Sequence, residues 1–566
     1  MLSSKPLKTF SGGEGSERVS VPVSRPHKQP AMSSSILPAR DFCGLTRGRW
    51  IILLILSLPS IYILLTLPPL WRDSDGFNEV ASTFAPKAII HWLPGYCLFG
   101  RLILIGAGTV GSLLGGHGIP YLSISITPLN DAGIYTLLVV QHLFLVFSLF
   151  FTVRTLSNSF LLRGVFAACF ALTPWLYIYA NCVGSEAFSN PLVYLIVAQG
   201  WNCLRSNQLS RRSVLIYFTL LVAAALTRQI NAIFASLLPL VLLPLTIKEL
   251  THRGTSSALS NLQTRLSNSR RFLIFIVVCI FALGISVLVQ QTMCWLFRVP
   301  FRSTFGETFE WRLSYLNGLS EQDRAHIVNR ISRKLGDPVI TESLEALDHS
   351  LNQGDKWADM FLFYKIDEIL VRSGFHEMQQ RTWQIDLKLN RIATCVLLQA
   401  EPHFWKAVWS DFLRSPMFTQ TDLAYPPFVL TDWLQTQLPE PRYGRLRSLA
   451  SFQYEVGHYN AVWQRVPYFH ILEGMPMLVM VGLAVVFGSY ALRLASRVPL
   501  AKLGFCYAIG LIALGFLVAL GNCLTTFFGA RFYLPVYSLF QTGMMLAISL
   551  AITVHIEKLE SFRNPR

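Results

Sequence analysis

Long apolar stretches with at most one charged residue, separated by short basic patches, constrain this chain more than any motif. Trp50–Leu70 (WIILLILSLPSIYILLTLPPL) is the first of them. A hydrocarbon core about 30 Å thick calls for about 20 consecutive apolar residues in a helix. Lipid offers no partner for backbone N–H and C=O groups, so such segments are helical. Further runs follow at Ala132–Val153, Gly164–Ala180, Ala187–Leu204, Ser213–Thr227, Gln229–Ile247 and Phe272–Phe297, then at Ile471–Leu492, Leu503–Phe528 and Phe532–Ile556. The pattern predicts an all-α, polytopic membrane protein of about ten transmembrane helices.

Charge sets the orientation. Lys and Arg number 48 against 32 Asp and Glu, an excess that would suit a nucleic-acid binder. Here the basic residues sit mainly in short loops between apolar runs, which is the positive-inside pattern. One segment, Cys97–Gly116, is apolar enough to span but is rich in glycine and carries Arg101. Treating it as an interfacial or re-entrant helix puts Arg154, Arg163, Arg205, Arg211, Arg212, Arg493, Arg497 and Lys502 on the cytoplasmic side. Treating it as a span turns all of them outward. The positive-inside rule favours the first register.

That register divides the chain. Residues 1–49 form a polar, Ser/Pro-rich cytoplasmic tail expected to be disordered, and residues 50–297 a membrane core with an outer loop at 71–131. Residues 298–470, with aromatic-rich helical stretches such as Leu387–Phe412, form a mostly helical extracytoplasmic domain resting on the membrane, 471–556 the C-terminal spans, and 557–566 a second cytoplasmic tail. The ten cysteines show no CxxC and no zinc-type spacing, and only Cys395 falls within 298–470, which excludes a disulfide framework there.

The groups able to do chemistry gather on the outer side. Asp73 and Asp75, in Trp71-Arg72-Asp73-Ser74-Asp75-Gly76, suit a general base or a divalent-cation ligand, and equally a helix N-cap. His91 and Tyr96, in His91-Trp92-Leu93-Pro94-Gly95-Tyr96, frame a turn and suit either a phosphate or sugar contact or an aromatic anchor at the interface. Glu186 opens a span, where a carboxylate also serves the helix dipole. Arg228 interrupts an apolar stretch at a depth where an arginine is costly and has a partner. Arg531, followed by Tyr533, occupies a matching edge position. Two such arginines can grip a lipid phosphate through bidentate bonds, or snorkel to the interface. Gln141-His142, inside a span, fits interhelical hydrogen bonding.

In this order and on one face, these features resemble the GT-C superfamily of membrane glycosyltransferases, which use polyprenyl-phosphate sugars as donors. The resemblance rests on Asp73-Ser74 with Phe77, the turn at His91–Tyr96, Val140-Gln141-His142-Leu143, Ser185-Glu186, Leu226-Thr227-Arg228 and Arg531–Pro535. It covers about residues 50–247 and the last two spans, and it is loose over 298–470, around Ala400–Phe404. Phe77 stands where tyrosine is usual, and Cys97 where a second proline is common.

The resemblance implies inverting sugar transfer on the extracytoplasmic face, with Asp73 as general base and Asp75 assisting at a cation or at the acceptor. His91, Tyr96, Glu186 and Tyr533 would shape the sugar site, and Arg228 and Arg531 would meet the departing phosphate. It implies a lipid-linked donor, an acceptor glycan, lipid or protein, and a plasma membrane. The absence of an Asn-x-Ser/Thr sequon matches a bacterial inner membrane. It leaves a divalent cation open, since the family includes metal-dependent and metal-independent members. Two rival classes stand beside it: a transporter or lipid flippase, which would place ionisable residues near mid-membrane, and a non-catalytic membrane scaffold.

Overall fold

The computed structural model describes residues 42–67, 69–71, 93–115, 131–206, 209–251, 259–354, 361–399, 401–419, 422–423, 476–494, 499–526 and 530–563. Two units divide the chain, Met1–Gly48 and Arg49–Arg566. In the first, only 42–48 are described, where they open a helix. The sites discussed below lie in the second.

Helices make up nearly all the regular structure, as a lipid-embedded backbone requires. Helix α1 (Phe42–Thr66) leads into a two-residue strand, β1 (Leu70–Trp71). Then come α2 (Pro94–Leu114), α3 (Asp131–Leu156), α4 (Phe160–Ala171), α5 (Pro174–Ala180), β2 (Cys182–Val183) and α6 (Glu186–Arg205). Helix α7 (Arg211–Thr227) gives way to a 3-10 helix over Gln229–Ser236, then α8 (Leu237–Thr251) and the long α9 (Leu259–Leu296). The polar region contains α10 (Phe305–Glu310), a 3-10 helix over Trp311–Gly318, α11 (Glu321–Leu335), α12 (Pro338–Asn352), α13 (Phe361–Arg372), α14 (Met378–Leu398) and α15 (Pro402–Arg414). A short 3-10 turn, Ser415–Met417, follows it. Helices α16 (Met477–Leu494), α17 (Pro499–Thr525) and α18 (Leu534–Arg563) close the fold, with a 3-10 turn at Ala530–Tyr533 before the last.

The chain is an all-α multi-pass membrane protein. Among the described residues, eight helices are long and apolar enough to cross a bilayer, or nine if α4 and α5 form one bent span. That pair bends by 62° at Pro174, which lacks an N–H and disfavours helical backbone in the residue before it. Each of the ten expected runs has a helical counterpart. Two of them are not counted among the eight: α7, at 17 residues, is short for a span, and α6 is less apolar. Helix α6 is buried along almost its whole length, including Ser189, Asn190 and Gln199. It faces protein on all sides, so polar residues that lipid would reject are accommodated. The segment expected at the interface, now α2, is long and apolar enough to cross over Pro94–Gly111.

The peripheral helices look different. Ile280, Phe281 and Leu288 of α9 and Val486 of α16 are exposed, as side chains are when lipid is their solvent.

The polar helices carry water-soluble start and stop signals. Ser320 caps α11 by accepting from the Asp323 N–H, and Asp337 caps α12 by accepting from Val339 and Ile340, with Pro338 in the first turn. Gly336 ends α11 at φ +59°, a left-handed position suited to glycine. Ile327, Leu344, Ile366, Leu389 and Phe404 are buried among these helices. The linker that reaches them from α9 contains Arg298 and Thr304, each at φ +53°. A left-handed non-glycine residue costs about 1–2 kcal/mol. Among the described residues these are the two such positions.

Candidate functional site

One end of the bundle collects residues from segments far apart in sequence. The first junction is the two-strand sheet. Leu70 pairs in parallel with Cys182 and Trp71 with Val183, and the Leu70 N–H donates to the Asn181 carbonyl at 3.0 Å. The chain leaving α1 is therefore pinned to the turn between α5 and α6.

A second junction centres on Tyr96, fully buried in the first turns of α2. Its hydroxyl donates to Gln141 Oε1 at 2.9 Å and accepts from the Gly184 N–H at 2.9 Å. Gln141, on α3, donates through Nε2 to the carbonyls of Ala180 (2.9 Å) and Cys182 (3.0 Å). Those bonds occupy both the carbonyl and the amino end of its carboxamide. Gln141 thus acts as the interhelical brace that its place in a span suggests. His142 does similar work, with Nδ1 3.0 Å from Ser60 Oγ on α1.

The third junction is steric. A Cβ on Gly95 would lie 2.7 Å from the Leu226 carbonyl oxygen and 3.1 Å from the Thr227 nitrogen. Only glycine lets α2 approach the end of α7 this closely. The Pro-Gly-Tyr turn and the Leu-Thr-Arg segment, 131 positions apart, touch through their backbones.

At that contact stands the ion pair. Arg228 Nη1 lies 3.2 Å from Glu186 Oε1, with the glutamate side chain 1% exposed and the arginine 11%. Glu186 is the first residue of α6, where the helix dipole favours a negative charge. Arg228 sits in extended backbone between α7 and the 3-10 helix. Its N–H donates to the Ala224 carbonyl and its own carbonyl accepts from the Asn231 N–H. Asn231 then donates through Nδ2 to Ser189 Oγ (2.9 Å) and to the Ala224 carbonyl (3.0 Å), tying α6, α7 and this turn together. An isolated charge here would be prohibitively costly, and each member of the pair offsets the other.

The polar domain reaches the same place. Gln229, next to Arg228, donates to the Ser303 carbonyl at 3.3 Å and hydrogen-bonds Thr304 Oγ1. Asn390 of α14 accepts from the Gly306 N–H at 2.8 Å, holding the α10 end of that linker.

Of the residues singled out from sequence, Tyr96, Glu186 and Arg228 are brought together. Tyr533 is buried, its hydroxyl 3.0 Å from Cys523 Sγ and its ring 5.0 Å from Phe418. Asp73, Asp75 and His91 lie outside the described residues, as does the side chain of Arg531, whose backbone lies in the Ala530–Tyr533 turn. Gln229 and Asn231 were not singled out, although a carboxamide in an apolar run is a signal that it has found a partner. Among the described residues, no group of three or more His, Cys, Asp or Glu is placed to hold a metal ion.

No family model matches the sequence, and no curated protein does. Among solved structures the chain is similar to the archaeal oligosaccharyltransferase AglB from Archaeoglobus fulgidus, in complex with an inhibitory peptide and a dolichol-phosphate. The identity is 12% and the TM-score 0.37, over 92% of this chain and 51% of that one. The chain thus spans about half the length of that protein, and no argument rests on a likeness at this level.

Proposed function

We propose that the chain is a membrane glycosyltransferase of the GT-C type that moves a sugar from a polyprenyl-phosphate donor to an acceptor on the extracytoplasmic face. The observation that carries this reading is the convergence around the Glu186–Arg228 pair. Trp71, two residues before Asp73, pairs with Val183, three residues before Glu186. Gly95 touches Thr227 beside Arg228, and Tyr96 holds Gly184. The motif segments of the first outer loop, the α5–α6 turn and the end of α7 thus form one constellation.

In this reaction the acceptor hydroxyl oxygen attacks the anomeric carbon from the face opposite the phosphate, inverting it. The Asp73 carboxylate takes the hydroxyl proton as the bond to the phosphate oxygen breaks, and the electron pair leaves with polyprenyl phosphate. Arg228, held by Glu186, and Arg531 offset the charge developing on that phosphate. Asp75 and His91 line the sugar and acceptor side, buried Tyr96 shapes the site from behind by holding Gln141 and Gly184, buried Tyr533 supports the turn that carries Arg531, and residues 298–470 grip the acceptor. The chain works in a plasma membrane, and the absence of sequons fits a bacterial one.

Asp73→Asn tests this directly. Membranes holding the variant are expected to contain inserted protein at the wild-type level and to have lost transfer from a polyprenyl-phosphate sugar. Undiminished transfer would remove the base assignment. Lipid-linked sugar crossing the bilayer without transfer to any acceptor would instead make the chain a flippase.

A further inference from the structure

The polar domain is not wholly a water-facing body, and α15 is where it departs from one. One face of this helix is packed inward: Phe404 and Val408 are fully buried, and Arg312 pairs with Asp411. The other face is apolar and open. Trp409 is 53% exposed, Leu413 68% and Met417, in the turn that follows, 54%. Trp409 and Leu413, four positions apart, share one side of the helix, and exposed Met417 follows in the turn that continues it. An apolar stripe of this kind on a water-soluble domain would be a liability.

Its surroundings identify the solvent. The Phe412 ring lies 6.1 Å from Phe516, nine residues short of the end of α17 at Thr525. That is about 13 Å below the helix end at 1.5 Å per residue. The C-terminal end of α15 therefore lies alongside the terminal half of a membrane-spanning helix rather than above it. The chain after α15 keeps to the same level: the Phe418 carbonyl accepts from the Met477 N–H at 3.1 Å, at the start of α16. Leu478 and Val479 on that helix are exposed, as is Leu517 on α17. The segment that carries the stripe thus meets both spans, through Phe412 and Phe418, next to side chains exposed on those spans. Lys406 and Arg414, both exposed, border it.

We propose that α15 is an interfacial helix seated in the leaflet on the side of the polar domain. Trp409, Leu413 and Met417 enter the acyl region, while Lys406 and Arg414 extend to headgroup phosphates. This inference depends on the spans alone, and stands or falls separately from the sugar-transfer reading.

The test uses the full chain in phosphatidylcholine vesicles, with and without phosphatidylglycerol. Leu413→Cys and, separately, Met417→Cys are labelled with an environment-sensitive fluorophore, with Arg333→Cys on exposed α11 as the aqueous control. The native chain treated in the same way supplies the background from its own cysteines. Both stripe positions are expected to emit at shorter wavelength than the control, to be quenched several-fold more by spin-labelled lipid, and to resist aqueous iodide. Two labels give independent readings should one variant fail to fold. Emission and iodide quenching equal to the control would overturn the proposal. So would shielding from both quenchers, which would mean that protein, such as residues 424–475, covers the stripe.

Discussion

Arg228 on the turn after α7 and Glu186 at the head of α6 form a buried ion pair with 3.2 Å between Nη1 and Oε1. A pair this enclosed is costly to halve and cheap to remove whole. Breaking a buried pair by deleting one partner costs about 3–5 kcal/mol, whereas replacing both with apolar residues is often neutral. Glu186→Leu is therefore expected to lower the thermal unfolding temperature of the detergent-solubilised protein sharply, and Glu186→Leu with Arg228→Met to recover most of the loss. Additive losses in this cycle would show that the two charges do not depend on each other.

Two glycines on one helix make a matched comparison. In Gly95→Ala the added methyl would collide with the Leu226–Thr227 backbone, which cannot rotate away as a side chain could. Overpacking of this kind costs about 1–3 kcal/mol. Gly106, farther along α2, has nothing within 4 Å of the same added atom. Gly106→Ala is expected to leave the unfolding midpoint unchanged or raise it. Equal effects at the two positions would refute the close approach of α2 to α7.

The polar domain holds two aspartates whose response to acid has opposite sign. Burial raises the pKa of Asp337, but Lys388, the Ile340 N–H and Arg391 outweigh it, and the folded-state value lies below the ordinary one. Its contribution to stability is full above the unfolded value, about 3.9, and is lost as pH falls through the folded value. Asp386 is shifted upward, chiefly by burial. The penalty for its ionisation is felt above its raised folded value and is relieved as pH drops through it towards the unfolded value. At neutral pH Asp337→Asn should lower the unfolding temperature of the domain, while Asp386→Asn should preserve or raise it. The gap between the two variants should close in acid. Melting curves at several pH values check the sign.

Sidedness rests on charge parity and needs its own measurement. A membrane-impermeant thiol reagent added outside intact cells is expected to label Arg333→Cys on α11 and to spare Arg212→Cys at the start of α7. Labelling in the reverse order would invert the topology and move the Glu186–Arg228 pair to the cytoplasmic end.

Much of the architecture was legible because lipid makes a severe demand on composition. Uninterrupted runs such as Phe272–Phe297 and Leu503–Phe528 admit one reading, and α9 and α17 match them. Gln141 was legible for the same reason, since a carboxamide in such a run needs partners. The pairing of Leu70–Trp71 with Cys182–Val183 was not, because two residues carry no alternation to detect. Helix α2 sits at the margin, where length and glycine content argue for different depths. The aromatic-rich stretch Leu387–Phe412 points to a domain resting on the membrane, but which face of α15 is open is not legible, because a helix of 13 residues is too short to span and its apolar face reads equally as core. Glu186 and Arg228 were each recognisable as costly, yet nothing in a separation of 42 positions says that they meet. Gly95 lets α2 close on the end of α7 beside Arg228, and its role depends on a neighbour the sequence does not name.

Arg298 and Thr304 hold the short linker between α9 and α10 in a backbone geometry that ordinary residues avoid, and the Thr304 hydroxyl is tied to Gln229 beside the ion pair. Such a linker has a defined course, since each left-handed residue must be held in place by its surroundings. The linker meets the bundle at Gln229, which is bonded to the Ser303 carbonyl and the Thr304 hydroxyl. The polar region and the residue next to Arg228 are thus joined by a direct hydrogen bond, a path of few bonds between the two.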